Sequence, residues 1–126
     1  MIRVLVVDDH PVLRAGLEAV LRAEPGFVCV GTAEDGLQMM AALPRTRPDV
    51  VILDRRLGDE DGIALCAGLR GEPIVPEVVL YTASDDPGLD ELARAAGAYA
   101  VVGKTADINE LFDALRLAVR GRGALA

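Results

Sequence analysis

The chain has 126 residues, 20 acidic against 13 basic, and a formal net charge of −7. That length suits one domain that folds without disulfides or a structural metal, and the acid excess excludes a nucleic-acid surface, which needs clustered Lys and Arg. Apolar runs stop at five residues, as in 98–102, against about 20 for a membrane span, and no secretory leader pattern opens the chain.

In chain order, Ile2–Val7 is nearly all apolar, as expected of a strand buried on both faces of a parallel sheet. Leu13, Leu17, Val20 and Leu21 follow at helical spacing, with Pro11 in the first turn and Glu24-Pro25-Gly26 as the stop. Residues 27–30 read as a second strand, and 37–43 as a short helix stopped by Pro44. Val50–Leu53 is a third strand, 63–69 a helix and 78–81 a fourth strand. Leu89, Leu92, Ala93 and Ala96 form a helix closed by Gly97, and 100–102 is a fifth strand. Asp107 and Glu110 make a capping box for a last helix that buries Ile108, Leu111, Phe112, Leu115 and Val119 and leaves Leu117 outside. Residues 120–123 (Arg-Gly-Arg-Gly) read as a linker start. Five βα units in this order predict an α/β fold, an open, doubly wound parallel sheet with helices on both faces. Cys29 and Cys66 lie in separate apolar runs and read as buried thiols of a reducing, intracellular compartment.

All strand C-termini of such a sheet open onto one edge. There the first strand brings Asp8 and Asp9, the third Asp54, the fourth Thr82 and the fifth Lys104, which is the only lysine in the chain. Two carboxylates about 4 Å apart repel by roughly 4 kcal/mol at an effective dielectric near 20. Either one of them keeps a proton or a hard divalent cation sits among them. An all-oxygen donor set without His or Cys at metal spacing points to Mg²⁺. Such a cation beside an ammonium and a hydroxyl makes a set of parts for phosphoryl transfer, with Asp54, central among them, as the nucleophile.

These residues carry a resemblance. Val6-Val7-Asp8-Asp9-His10, Leu53-Asp54, Asp61-Gly62, Thr82-Ala83 and Lys104 together resemble the receiver domain of two-component response regulators, over essentially residues 1–120. The run from Asp8 to Leu17 is most similar to the NarL/FixJ/LuxR-like branch, whose members often carry a C-terminal helix-turn-helix. The resemblance implies a flavodoxin-like sheet of order 2-1-3-4-5 and a cytoplasmic, bacterial phosphorylation switch. It implies that Asp54 accepts a phosphoryl group from a sensor histidine kinase. Asp9 would bind Mg²⁺ directly, Asp8 would act through water, and the Arg56 carbonyl and Asp54 would complete the protein ligands. Thr82 would hydrogen-bond the phosphoryl oxygen, Lys104 would pair with it, and the moving threonine would shift the face made by the fourth helix, fifth strand and fifth helix. A homodimer on phosphorylation and an effector domain following residues 121–126 are further implications. DNA would then be reached through that effector and not through this domain.

Three positions depart from the family pattern. Val101 stands three residues before Lys104, where the family often has an aromatic whose rotamer follows the threonine, and Tyr99 lies farther from the site. Leu57-Gly58 replaces a common Met-Pro, so that Gly58 loosens the loop carrying Asp59, Glu60 and Asp61, read as a solvated run. Thr105 follows Lys104 where many receivers have a cis-proline, and a trans bond is expected here. Arg55 and Arg56 read as a solvated pair, with Arg56 able to lean over a phosphoryl group, and His10 as a cap or rim contact. An aspartate-nucleophile phosphatase would place a second acid where Arg56 stands. A pseudo-receiver, working only as an interaction module, would tend to have lost the acids, the threonine or the lysine.

Overall fold

Strand and helix segments alternate through residues 1–124, which the computed structural model describes. In order they are β1 (Ile2–Val7), α1 (Pro11–Ala23), β2 (Phe27–Ala33), α2 (Gly36–Thr46), β3 (Val50–Leu53), a short pair β4 (Arg56–Leu57) and β5 (Glu60–Asp61), α3 (Gly62–Gly68), a 3₁₀ turn (Leu69–Gly71), β6 (Glu77–Thr82), α4 (Leu89–Ala95), β7 (Ala100–Gly103) and α5 (Ile108–Ala124). The main sheet is parallel with order β2-β1-β3-β6-β7. That is the expected 2-1-3-4-5 arrangement, with the β4–β5 hairpin inserted after β3.

Alternation along the strands divides the core. Leu5, Val7, Val51, Leu53 and Leu80 face α2, α3 and α4, while Val4, Val6, Val50, Ile52, Val79 and Tyr81 face α1 and α5. Leu5, Leu53 and Leu80 are fully buried, each favouring the fold by roughly 1.5–3 kcal/mol over exposure. Arg116 pairs with Glu24 at 3.0 Å and lies over the Phe27 ring, fastening α5 to the corner between α1 and β2. Cys29 is half-buried and Cys66 buried, both as free thiols, and burial pushes each pKa up.

Several local readings change. Pro44 does not stop α2 but sits inside it, and the helix runs to Thr46. Pro44 removes one backbone donor near the helix end, and the last turn is closed by Thr46 Oγ1 donating to the Ala42 carbonyl and the Arg47 N–H to that of Leu43. Arg47 then ends the helix with φ of 46°. Val20 and Leu92 are exposed rather than on the buried stripes, which are carried by Leu17 and Leu21 in α1 and by Leu89 and Ala93 in α4. Both buried stripes are thus narrower than apolar spacing alone implied. In α5, Leu111, Phe112 and Leu115 are buried, Ile108 and Val119 partly so, and Leu117 is exposed. Asp107 accepts from the Asn109 N–H at 2.8 Å, so the cap forms on the second residue of the helix. Residues 120–123 continue the helical backbone instead of opening a linker, and a boundary at 120 falls inside α5. Each residue added to a formed helix brings its own hydrogen bond, which offsets about 1 kcal/mol per glycine. Residues 125–126 of the expected tail lie outside the described residues.

Gly16 lies mid-way along α1, and a methyl group there would meet nothing within 4 Å. Gly16→Ala therefore raises unfolding free energy by about 0.5–1 kcal/mol through the unfolded chain's entropy. Urea denaturation checks this, and a lower midpoint at unchanged slope contradicts it.

Candidate functional site

The strand register sets the site. Val7 pairs with Leu53, Leu53 with Leu80, and Thr82 with Gly103, so the residues after β1, β3 and β7 and the last residue of β6 stand side by side. Backbone bonds extend the ladder beyond the strands: Asp54 N–H to the Val7 carbonyl at 3.1 Å, and Lys104 N–H to the Thr82 carbonyl at 2.9 Å.

Lys104 Nζ lies 2.7 Å from Asp54 Oδ2 and 2.9 Å from Asp8 Oδ2. The side chains of Asp8 and Asp54 are only 3% and 5% exposed, so water cannot screen their charges and the ammonium must. Burial pulls the Lys104 pKa down, but hydrogen bonds and charge from Asp54 and Asp8 outweigh it and hold the group above the ordinary lysine value. Burial likewise pushes the Asp8 carboxyl up, and the His10 backbone N–H, Lys104 and the His10 ring overcome it and leave it below the usual carboxylate value. Thr82 is buried, and its Oγ1 accepts the Ser84 N–H at 3.1 Å.

Asp9 is half-buried at the rim. Its Oδ2 accepts the Gly58 N–H at 2.9 Å, while its Oδ1 is buried without a hydrogen bond. His10 is a rim contact and not a side-chain cap: it occupies the N-cap position of α1, but its Nδ1 lies 2.9 Å from Asp8 Oδ1 and 3.1 Å from Asp9 Oδ1. One donor atom each from Asp8, Asp9, His10 and Asp54 falls within 4.8 Å of the others. Carboxylate oxygens dominate the set, and one of them, Asp9 Oδ1, accepts no hydrogen bond and has only the His10 ring nitrogen beside it, which fits a hard divalent cation. The placement of His10 beside them was not legible in motif spacing, because a single His at a helix start has many uses.

The segment after Asp54 differs most from expectation. Gly58 does not loosen it. With φ of 59° it is the first of two loop residues joining β4 to β5, where a hairpin turn of type II′ calls for glycine. Glu60 is not merely solvated, since its carboxylate accepts the Gly36 N–H at 3.0 Å and ties the hairpin to the start of α2. Asp61 caps α3 through the Ile63 N–H at 2.9 Å. Arg55 is mostly buried between Asp61 and Asp86, so only Arg56 fits the solvated reading, and the Arg56 N–H donates to Asp54 Oδ1 at 3.3 Å. Val101 is partly buried against the α2–α4 side of the core, and Tyr99 precedes β7 with its N–H on the Val78 carbonyl. No cis peptide bond occurs among the described residues, so Lys104–Thr105 is trans.

Gly62 carries a role that motif spacing does not show. A methyl group there would sit 2.0 Å from the carbonyl oxygen of Asp54, and the Gly62 N–H donates to the Arg55 carbonyl at 2.6 Å. The first residue of α3 is packed directly on the peptide that carries the central carboxylate.

The model of the response regulator receiver domain matches residues 4–116. The chain belongs to that family. This receiver is 34% identical over 125 residues to the transcriptional regulatory protein LiaR of Bacillus subtilis, across 99% of this chain and 59% of that protein. It is 42% identical over 104 residues to the DNA-binding transcriptional activator DevR/DosR of Mycobacterium tuberculosis, across 80% of this chain and 48% of that protein. The chain thus spans about half the length of the curated relatives it matches. Among solved structures, a LuxR-family two-component response regulator from Aurantimonas sp. SI85-9A1 superposes with a TM-score of 0.88 at 28% identity, covering 94% of this chain and 85% of that one. The BeF3-activated N-terminal receiver domain of Klebsiella pneumoniae RstA gives 0.84 at 30%, covering 94% and 98%. No helix among the described residues is long and apolar enough to cross a membrane.

Two outcomes follow for the receiver. In EDTA at neutral pH, Lys104→Met lowers stability by about 2–4 kcal/mol, because two buried carboxylates lose their counter-charge. Asp8 has a depressed pKa in the folded state, so its share of that loss is present above the ordinary carboxylate value and fades as pH falls through the lowered one. Lys104 has a raised pKa, so its contribution is whole below the ordinary lysine value and goes as pH rises through the raised one. Urea melts across pH measure both limits, and a pH-independent difference contradicts the pairing. Separately, Gly62→Ala costs about 3 kcal/mol or more, whereas Gly68→Ala, with nothing within 4 Å, does not destabilise. Equal melting temperatures for the two variants contradict the close packing.

Proposed function

We propose that this receiver is a phosphorylation-dependent switch in which Asp54 accepts a phosphoryl group from the phosphohistidine of a sensor histidine kinase. The observation that carries the reading is Lys104 Nζ held at 2.7 Å from Asp54 Oδ2, beside buried Thr82. In the transfer an Asp54 carboxylate oxygen attacks phosphorus, the histidine N–P bond breaks, and the imidazole leaves with the nitrogen lone pair. Lys104, already at Asp54, pairs with the phosphoryl oxygens as a point charge, and the Thr82 hydroxyl donates to one of them. Asp8, Asp9, Asp54 and the Arg56 carbonyl would hold Mg²⁺, which when bound supplies neutralisation of phosphoryl charge. The same groups assist the later loss of the phosphoryl group to water.

The Ser84 N–H bond to Thr82 Oγ1 couples the hydroxyl to its loop. Recruitment of Thr82 would draw that loop and alter the α4–β7–α5 face, a population shift driven by one added dianion. Relatives described as transcriptional regulators and as a DNA-binding activator support an output on transcription, through an effector domain and phosphorylation-linked homodimers in the cytoplasm. Val101 in place of an aromatic favours a second reading, a receiver-like interaction module that works without phosphorylation.

Incubation with a small phosphodonor and Mg²⁺ separates the two. The expected result is an intact-mass gain of one phosphoryl group that Asp54→Asn abolishes. No gain with any divalent cation establishes the interaction module instead. Lys104→Arg is expected to keep phosphorylation while impairing output, since a planar fork does not replace a compact ammonium. Wild-type output from that variant contradicts the assigned role.

A further inference from the structure

Arg55 follows Asp54 directly, and its side chain is 18% exposed. Its Nε lies 3.4 Å from Asp61 Oδ1, and its Nη1 lies 3.5 Å from Asp86 Oδ2. Asp61 is fixed, because the same Oδ1 accepts the Ile63 N–H at the start of α3. Asp86 belongs to the loop between β6 and α4, which begins after Thr82 and closes with the Leu89 N–H on the Asp86 carbonyl at 3.2 Å. One guanidinium therefore joins the segment behind Asp54 to the loop that follows Thr82.

Two features make this contact releasable. Arg55 Nη1 is buried and makes no hydrogen bond, so its hold on Asp86 is Coulombic and long. The Asp86 side chain is 52% exposed, so water can take its place. Recruitment of Thr82 by a phosphoryl group would draw the loop that follows it and strain the Arg55–Asp86 contact.

We propose that Arg55 is a positioning residue that, through Asp86, holds the β6–α4 loop in its resting conformation and sets how readily the loop responds to phosphorylation. This deepens the switch reading and rests on it. Arg55 acts on the loop and not on the transferred group. Removing a partly exposed ion pair of this kind shifts the loop equilibrium about two- to five-fold.

The test uses the whole chain with Mg²⁺ and no phosphodonor. Amide hydrogen exchange at Ser84 and Leu89 is compared for wild type, Arg55→Gln, Asp86→Asn and the double variant. Each single change is expected to speed exchange about two- to five-fold, with nothing further in the double variant. Arg55→Lys should restore most of the protection, and high salt should erase the difference from wild type. Beryllofluoride, a phosphoryl mimic, then provides a readout that a merely structural contact would not move. Its apparent Kd tightens in Arg55→Gln and Asp86→Asn by the same factor, because the coupling is reciprocal. Unchanged exchange in both single variants, additive effects in the double, or faster exchange with an unchanged Kd each overturn the proposal. A wild type that binds no beryllofluoride and takes no phosphoryl group overturns the switch reading and this proposal with it. A wild type that binds while its variants show no shift overturns the latch alone.

Discussion

Everything at the open edge of the sheet depends on one ammonium between two buried carboxylates. Lys104 makes it possible to end β1 and β3 on Asp8 and Asp54 at neighbouring positions, an arrangement that unscreened repulsion would otherwise oppose. The compact shape of the group matters. It meets one oxygen of each acid within hydrogen-bond distance, and a flexible stem lets it arrive from the edge strand β7, two strands from β3 and three from β1, whereas a planar guanidinium prefers two oxygens of a single partner. In a chain that otherwise uses arginine for its basic residues, that choice marks the position.

Around this pair, rigidity and freedom are separated. Beneath it, β1 and β3 have neighbours on both sides and apolar packing on both faces, so Asp8 and Asp54 ride on the most constrained backbone of the domain. Beside it, the hairpin after β3 is tied to Asp9 through Gly58, to α2 through Glu60 and to α3 through the Asp61 cap. The loop after β6 has fewer ties, chiefly the Thr82 hydroxyl and the long contact from Arg55. A perturbation at Asp54 thus finds most of its surroundings unable to yield, and one loop that can.

The fold was legible because strand and helix periods differ and because burial on two faces leaves β1 and β3 almost wholly apolar. Asp8, Asp9, Asp54, Thr82 and Lys104 were legible for a topological reason: each ends a strand or follows one, and parallel strands end together. What stayed hidden depends on side-chain direction and local backbone. Nothing in the order of Asp59, Glu60 and Asp61 tells that one accepts from α2, one caps α3 and one is free to face water. Gly58 looks like slack until its φ shows a turn, and Arg55 looks like its neighbour Arg56 until Asp86 is brought close by a loop thirty-one positions away. Val20 and Leu92 satisfied the apolar spacing and still ended outside, since spacing fixes a stripe's angle and not its width.

Gly62 has a consequence for how the sequence around the site can vary. Most positions near a charged centre are limited by chemistry, so that a similar residue can substitute. Position 62 is limited by the lack of an atom: every other amino acid brings at least a Cβ, and that carbon would collide with the Asp54 carbonyl oxygen. Mutational drift is closed there to all nineteen alternatives alike, whatever their charge or polarity, while Gly68, six positions on, has open space for a Cβ. The carboxylate at the centre of the site is held in place partly by a void that no substitution can leave empty.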